Sequence, residues 1–158
     1  MQPIEERFLE RAIKLAREGM YSHKGGPFGC VIVKDGKVVG EGSNEVTSSN
    51  DPTAHAEVVA IRKACAALGN YQLTDCDVYA SSEPCPMCLG AIYWARPRRV
   101  IYANTRQEAA TIDFDDELIY QEIGKEGTGR QIPFLHHPHI NAQELFREWE
   151  GWGGKQEY

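Results

Sequence analysis

Two helix-like stretches of this chain each open with side chains that bind metal ions, and nothing else in the sequence limits the fold as tightly. Ala54 to Leu68 reads as a helix that Gly69 ends, and it starts in Thr53-Ala-His-Ala-Glu57. Pro86 to Ala95 reads as another, stopped by Arg96-Pro97 because a residue before proline avoids the helical region. Cys85 precedes that helix and Cys88 lies in its first turn. Their i, i+3 spacing puts both sulfurs on one face. A helix N-terminus carries partial positive charge, which lowers thiol pKa and favours the thiolate. If both helix starts meet at one sheet edge, His55, Cys85 and Cys88 take three corners of a tetrahedron. The fourth is left to water, as in a catalytic zinc site; structural zinc sites are closed by four protein ligands.

Glu57 lies two residues beyond His55. It is either a fourth ligand or a carboxylate placed beside the metal's water. Zinc brings water to a pKa of about 7, low enough for such a carboxylate to take its proton and pass it on. The second role is preferred here. His-x-Glu followed by Pro-Cys-x-x-Cys is the pattern of the zinc-dependent nucleobase deaminases, and it stands here as His55-Ala-Glu57 and Pro84-Cys85-Pro-Met-Cys88. Cys30, Cys65 and Cys76 lack such a setting and read as small buried hydrophobes. His136, His137 and His139 flank Pro138 and read as lining a turn rather than as a second metal site.

The remaining pattern suggests how the two helix starts are brought together. Ile4 to Glu18 has apolar residues near helical spacing, with Gly19 suited to the position after a helix end. Phe28 to Val33 and Val38 to Gly42 are rich in strand formers, and the Asp35-Gly36 between them predicts a tight hairpin. Asp77 to Ser82 and Val100 to Ala103 read as strands on either side of the second metal-bearing helix. A strand–helix–strand unit closes right-handed onto a parallel pair. The expected fold is therefore α/β, a three-layer α/β/α sandwich around a central mixed sheet. In the last third, Asp116 to Ile123 predicts a short helix, Ile132 to Leu135 a strand, and Asn141 to Trp149 a helix capped by Asn141. No repeat or linker interrupts the chain, so residues 1–158 are expected to form one domain. A tail from about residue 150 has no periodicity.

Charge and cysteine usage narrow the partners. The formal net charge is −6, whereas a protein that grips nucleic acid shows net basic charge or a basic stripe. Arg96-Pro-Arg-Arg99 is too short to be one and reads as a solvated turn. A small, weakly charged substrate fits better. Apolar runs are too short to cross a bilayer, and the first ten residues carry acids where a secretory signal needs basic and apolar regions. Five cysteines in such a chain point to a reducing, cytoplasmic setting.

On these residues the chain resembles the cytidine deaminase superfamily, and within it the bacterial guanine deaminases of the cytidine-deaminase-like type. The likeness runs nearly end to end, through Gly25-Gly-Pro-Phe-Gly29, Asn50-Asp-Pro-Thr-Ala-His-Ala-Glu57, the stretch from Glu83 to Ala95, Phe114-Asp-Asp116 and the closing Glu157-Tyr158. The resemblance implies one zinc ion per subunit and hydrolysis of guanine to xanthine and ammonia. Water attacks C2 and Glu57 moves its proton to ring N3. It assigns Asp116, rather than Asp115, to the amino group as anchor and second proton carrier. Guanine presents N1–H and a 2-amino group side by side, two donors that one carboxylate can accept. Adenine offers no such pair, and a site left with an unpaired buried acceptor rejects an analogue by about 10⁴-fold in favourable cases. The resemblance further implies that Phe28, Asn44, Trp94 and Tyr158 contact the base. It also implies a homodimer in which C-terminal segments are exchanged and the tail closes the pocket.

Without that likeness, Asp113-Phe-Asp-Asp-Glu117 reads as a solvated acidic stretch, Asn44 as a loop residue bonding its own backbone, and Phe28 and Trp94 as core. Gly25-Gly26 lacks the Lys-Ser/Thr of a phosphate loop. Guanosine deamination is the nearest rival, since it uses the same base edge. A tRNA adenosine deaminase or a cytosine deaminase pairs poorly with an acidic chain carrying Phe114-Asp-Asp116. A catalytically dead zinc module has no use for Glu57.

Overall fold

The structure, a computed structural model, describes residues 4–158. Alternation along two central strands sorts the core onto opposite faces of one sheet. Strands β1 (Gly29–Lys34), β2 (Lys37–Ser43), β3 (Cys76–Ser82) and β4 (Arg99–Asn104) lie in the order β2-β1-β3-β4. β1 is antiparallel to both β2 and β3, whereas β3 and β4 are parallel, so the sheet is mixed. Side chains alternate faces along a strand. Val31, Val33 and Tyr79 meet Phe8 and Ala12 of helix α1 (Glu6–Tyr21) on one face. Cys30, Ile32 and Val78 meet Ala56, Ala60 and Ala64 on the other. Those alanines belong to α3 (Ala56–Leu68), which follows the short α2 (Val46–Ser49). The expected three layers are present.

Small residues set the spacing between layers. A Cβ on Gly40 of β2 would lie 2.6 Å from the Ala60 carbonyl oxygen, so glycine is what lets α3 settle against that strand. Helix α4 (Pro86–Ala95) connects β3 to β4, with proline in its first turn and Arg96 ending it in the left-handed region at φ 56°. The hairpin turn forms as expected, with positive φ at both Asp35 (49°) and Gly36 (72°).

Several expectations need correction. Gly19 does not end α1, which runs on to Tyr21; it is buried, and a Cβ there would lie 2.7 Å from Ser43 Cβ. Its value is close packing, not termination. Arg98 and Arg99 are not simply solvated, since Arg98 Nε and Arg99 Nη2 each donate to the buried Asp77 at 2.9 Å. Burial alone would raise the Asp77 carboxyl, but the two guanidinium hydrogen bonds reverse this and hold it below the usual carboxylate range. A further helix, α5 (Arg106–Ala110), follows β4 and closes on the turn that carries Phe114.

The first compact unit ends at Asp116, and residues Glu117–Tyr158 form a second. The second holds α6 (Glu117–Ile123), a 3₁₀ turn at Gly127–Gly129 and α7 (Ile140–Gly151). Ile132 to Leu135 is not a strand: Pro133 has no N–H to give a ladder, and Phe134 N instead donates to Gly127 O. Asn141 is not the cap of α7. His139 is, its Nδ1 accepting from Asn141 N at 3.2 Å. None of the second unit's residues is buried, and it carries an apolar groove of about 380 Å³ lined by Leu118, Ile119, Ile123, Ile132 and Phe134.

Candidate metal centre

Helices usually begin with a side chain that caps their free N–H groups, most often Ser, Thr, Asp or Asn. α3 and α4 begin instead with His55 and Cys85, in extended backbone at ψ 155° and 169°, and neither side chain caps its helix. Both point their donor atoms at each other. His55 Nδ1 lies 3.4 Å from Cys85 Sγ and 3.5 Å from Cys88 Sγ. Among the described residues, this trio is the group whose donor atoms all fall within 4.8 Å of one another.

These distances test whether zinc fits. With Zn–N near 2.0–2.1 Å and Zn–S near 2.3 Å, the N···S edge of a tetrahedron is about 3.6 Å. The observed separations match that edge, and the N/S/S donor set is zinc's own chemistry. The three donor groups shift one another's protons, and zinc binding would displace those favoured on Cys88 and His55. The Cys85 thiol falls to about 4, chiefly through a hydrogen bond from Cys88 and despite burial, with His55 assisting. Cys88 is pushed upward by that same hydrogen bond and by burial. The hydrogen bond with Cys85 raises His55.

Glu57 stands in the first turn of α3, beside the trio and not within the group of three. It is only 8% exposed, and its Oε2 accepts from Cys88 Sγ at 3.4 Å. Burial pushes its carboxyl upward, which the hydrogen bond from Cys88 partly offsets. A buried carboxyl inclined to hold a proton is what a proton carrier needs.

The expected substrate residues of the first unit lie on the surrounding loops. Asn44, just after β2, is buried, and its Oδ1 accepts from Gly26 N at 3.2 Å and Val46 N at 3.1 Å. The loop role and a ligand role are therefore compatible, because one side-chain oxygen does the first and leaves the amide NH₂ for the second. A Cβ on Gly25 would lie 2.1 Å from that oxygen, so glycine is required there. Phe28 and Phe114 meet edge to face, with ring centroids 4.8 Å apart, against Gly26. Asp116 is half-buried and Asp115 exposed. Burial raises the Asp116 carboxyl, the Cys85 charge adds to this, and Arg106 opposes it.

Trp94 is 64% exposed on α4, so it is no core residue. Tyr158 is exposed in the second unit. Cys30 and Cys76 are buried as expected and Cys65 is half-buried; all five cysteines are free. His136, His137 and His139 belong to no metal-binding group among the described residues. Sequence reasoning does not find α5, although Thr105-Arg-Gln-Glu108 carries its signal, a capping box that the structure forms in full. Nor does it find Glu83, whose Oε2 accepts from Arg106 N at 3.0 Å.

The description "cytidine and deoxycytidylate deaminase zinc-binding region" matches residues 2–104, which include the whole trio and Glu57. The chain belongs to this deaminase family. Within the family it is 57% identical over 153 residues to a guanine deaminase of Bacillus subtilis (strain 168), covering 97% of this chain and 98% of that protein. The X-ray structure of guanine deaminase from Bacillus subtilis superposes with a TM-score of 0.96 at 56% identity, covering 99% of each chain. A tRNA-specific adenosine deaminase of Streptococcus pyogenes serotype M1 is 42% identical over 121 residues, 75% of this chain and 70% of the relative. These deaminases share a cytidine-deaminase-like α/β fold and a zinc site, and the sheet and trio described above are this chain's version of both. No helix among the described residues is long and apolar enough to cross a membrane.

Proposed function

We propose that this chain is a zinc-dependent guanine deaminase, hydrolysing guanine to xanthine and ammonia in purine salvage or catabolism. The observation that carries the reading is the His55, Cys85 and Cys88 trio with the buried Glu57 hydrogen-bonded to Cys88. The half-buried Asp116 is the carboxylate we assign to guanine's N1–H and 2-amino group, two donors that one carboxylate can accept. The full-length likeness to the Bacillus subtilis guanine deaminase supports the same substrate.

His55, Cys85 and Cys88 would hold the zinc, one per subunit. Bound zinc supplies Lewis-acid chemistry that makes water a nucleophile at neutral pH. Glu57 takes the water's proton and delivers it to ring N3 as C2 is attacked. Asp116 orients the amino group and relays to it the proton that the C2 hydroxyl releases as the C2 carbonyl forms, so that the C–N bond breaks and ammonia departs. Phe28 and Phe114 present an aromatic edge to the ring, Asn44 offers its amide NH₂ to the base edge, and Trp94 packs on the base. Burial of Glu57 strengthens its exchange with substrate, because charges shift more strongly in a dry site.

The chain works as one deaminase domain in a homodimer with exchanged C-terminal segments, its tail from about residue 150 and Tyr158 closing the pocket. Support comes from the second unit itself. Leu135, Phe146 and Ile132 are each more than three-quarters exposed, and a unit with such side chains and an open apolar groove needs a partner surface. Five free cysteines suit a cytoplasmic setting, and the net charge of −6 argues against a nucleic-acid partner.

Ammonia release from guanine, guanosine, adenosine at the wobble position of a tRNA anticodon loop and cytosine, measured side by side, tests the substrate. Guanine turns over fastest; preference for the tRNA would overturn the reading. Sedimentation tests the dimer, and a fully active monomer would refute exchange.

A further inference from the structure

The acid just before the metal-binding cysteines has an unexpected partner. Glu83 leaves β3 with its backbone N–H bound to Asn104 O at 2.8 Å, while its Oε2 accepts from Arg106 N at 3.0 Å. One side chain therefore ties the loop that delivers Cys85 to the first turn of α5. From that point hydrogen bonds hold the chain as far as Phe114, two residues short of Asp116. Thr105 and Glu108 close a reciprocal capping box, Thr105 N donating to Glu108 Oε2 at 2.8 Å and Glu108 N to Thr105 Oγ1 at 3.3 Å. Asp113 N donates to Ala110 O and Phe114 N to Ala109 O, both at 3.2 Å, and Asp113 turns the chain through the left-handed region at φ 69°. Phe114 then packs edge to face on Phe28, two residues before Asp116.

We propose that Glu83 is a positioning residue for the deamination, fixing the distance between the metal-binding cysteines and the substrate carboxylate of Asp116 through its hydrogen bond to the start of α5. The physical need is plain. The metal pair and Asp116 must act on one carbon and its amino group, yet they come from different loops separated by β4 and α5. A hydrogen bond to an ionised carboxylate is about twice as strong as a neutral one, so it is a suitable pin between them. Displacement of a catalytic group by about 1 Å can cost 10²-fold in rate. Glu83 touches neither metal ligand nor substrate in this role; it acts through the placement of α5.

This inference rests on the guanine reading for the role of Asp116 and for its kinetic probe. The variants are Glu83→Ala, Glu83→Gln and, from the other end of the same device, Thr105→Ala. Three readouts on each purified protein decide it: zinc per chain, amide hydrogen exchange at residues 105–114, and kcat and KM for guanine. The expected result is one zinc per chain throughout. In Glu83→Ala, exchange over 105–114 quickens, and kcat/KM falls by about tenfold or more, chiefly through KM. Glu83→Gln, which keeps a neutral acceptor oxygen, restores slow exchange and most of kcat/KM, and Thr105→Ala shifts both in the direction of Glu83→Ala. Unchanged exchange and KM in Glu83→Ala overturn the proposal. So does loss of zinc in that variant, which assigns Glu83 to the metal loop alone. If the unaltered protein fails to turn over guanine, the substrate reading falls, while the exchange and zinc results still judge the pin.

Discussion

Replacing Glu57 by glutamine separates the chemistry of this site from its architecture. The two side chains have the same length, so the amide occupies the place 8% exposed to solvent that the carboxyl held beside Cys88. Burial raises the Glu57 carboxyl, which means that the protein bears a cost for its charge. A neutral amide escapes that cost, and Glu57→Gln is expected to keep the Tm or raise it slightly. His55, Cys85 and Cys88 are untouched, so zinc stays at one per chain. Turnover behaves differently, since an amide cannot carry a proton. General acid–base groups contribute about 10²–10⁴ in rate, or roughly 3–5 kcal/mol of barrier at 1.36 kcal/mol per decade. Loss of kcat by that factor is expected. Glu57→Asp draws the carboxylate back by about one bond length, roughly 1.5 Å, and falls between the two. The assay is ammonia release from guanine at saturating substrate, with zinc measured on the same samples. A kcat within tenfold of the parent, or a variant that has lost its zinc, would refute the proton-carrier role; the second result would make Glu57 a ligand.

Asp77→Asn removes the shared acceptor of Arg98 and Arg99 and is expected to cost about 2 kcal/mol, or a Tm drop of roughly 4–8 °C by calorimetry. Because the folded Asp77 carboxyl is depressed, its contribution is present above the unfolded value of about 3.9 and disappears as pH falls through the lower folded value. The Tm gap between parent and variant is therefore constant from neutrality to about pH 5 and closes below about pH 4; a gap that widens in acid contradicts the assignment. Asp116→Ala lowers kcat/KM for guanine by about 10²-fold or more while Asp115→Ala changes it little, and the reverse pattern shows the neighbour to be the anchor. A strong chelator removes zinc and lowers the Tm by about 5 °C or more, since metal binding to the trio is linked to folding; an unchanged Tm with zinc gone shows the trio to be rigid without it.

The elements that sequence reasoning found share one property: their signals are local. Asp35-Gly36 fixes its hairpin because both residues tolerate positive φ, and Gly69 and Arg96-Pro97 stop α3 and α4 where expected. The failures share the opposite property. Gly19 resembles a helix end, but its partner is Ser43 on strand β2, and no pattern around residue 19 reveals that contact. Ile132 to Leu135 has strand-like residues, yet a strand exists only where a neighbouring ladder accepts it, and Pro133 denies the donor. Arg98 and Arg99 read as solvated because Asp77, their partner, is distant in the chain.

By itself the sequence determined which side chains could hold a metal and which carboxyl stands close to them in the chain, because zinc chemistry demands particular atoms at short spacing: His55 with Glu57, and Cys85 with Cys88. Only tertiary structure decided that the two halves lie 3.4–3.5 Å apart, that Glu57 is buried beside Cys88, and that Asp116 is half-buried whereas Asp115 is exposed. The reason is physical. Donor type and local turn preference are properties of a few neighbouring residues, whereas separation, burial and electric field are set by how α3 and α4 dock onto the sheet formed by β1 and β3.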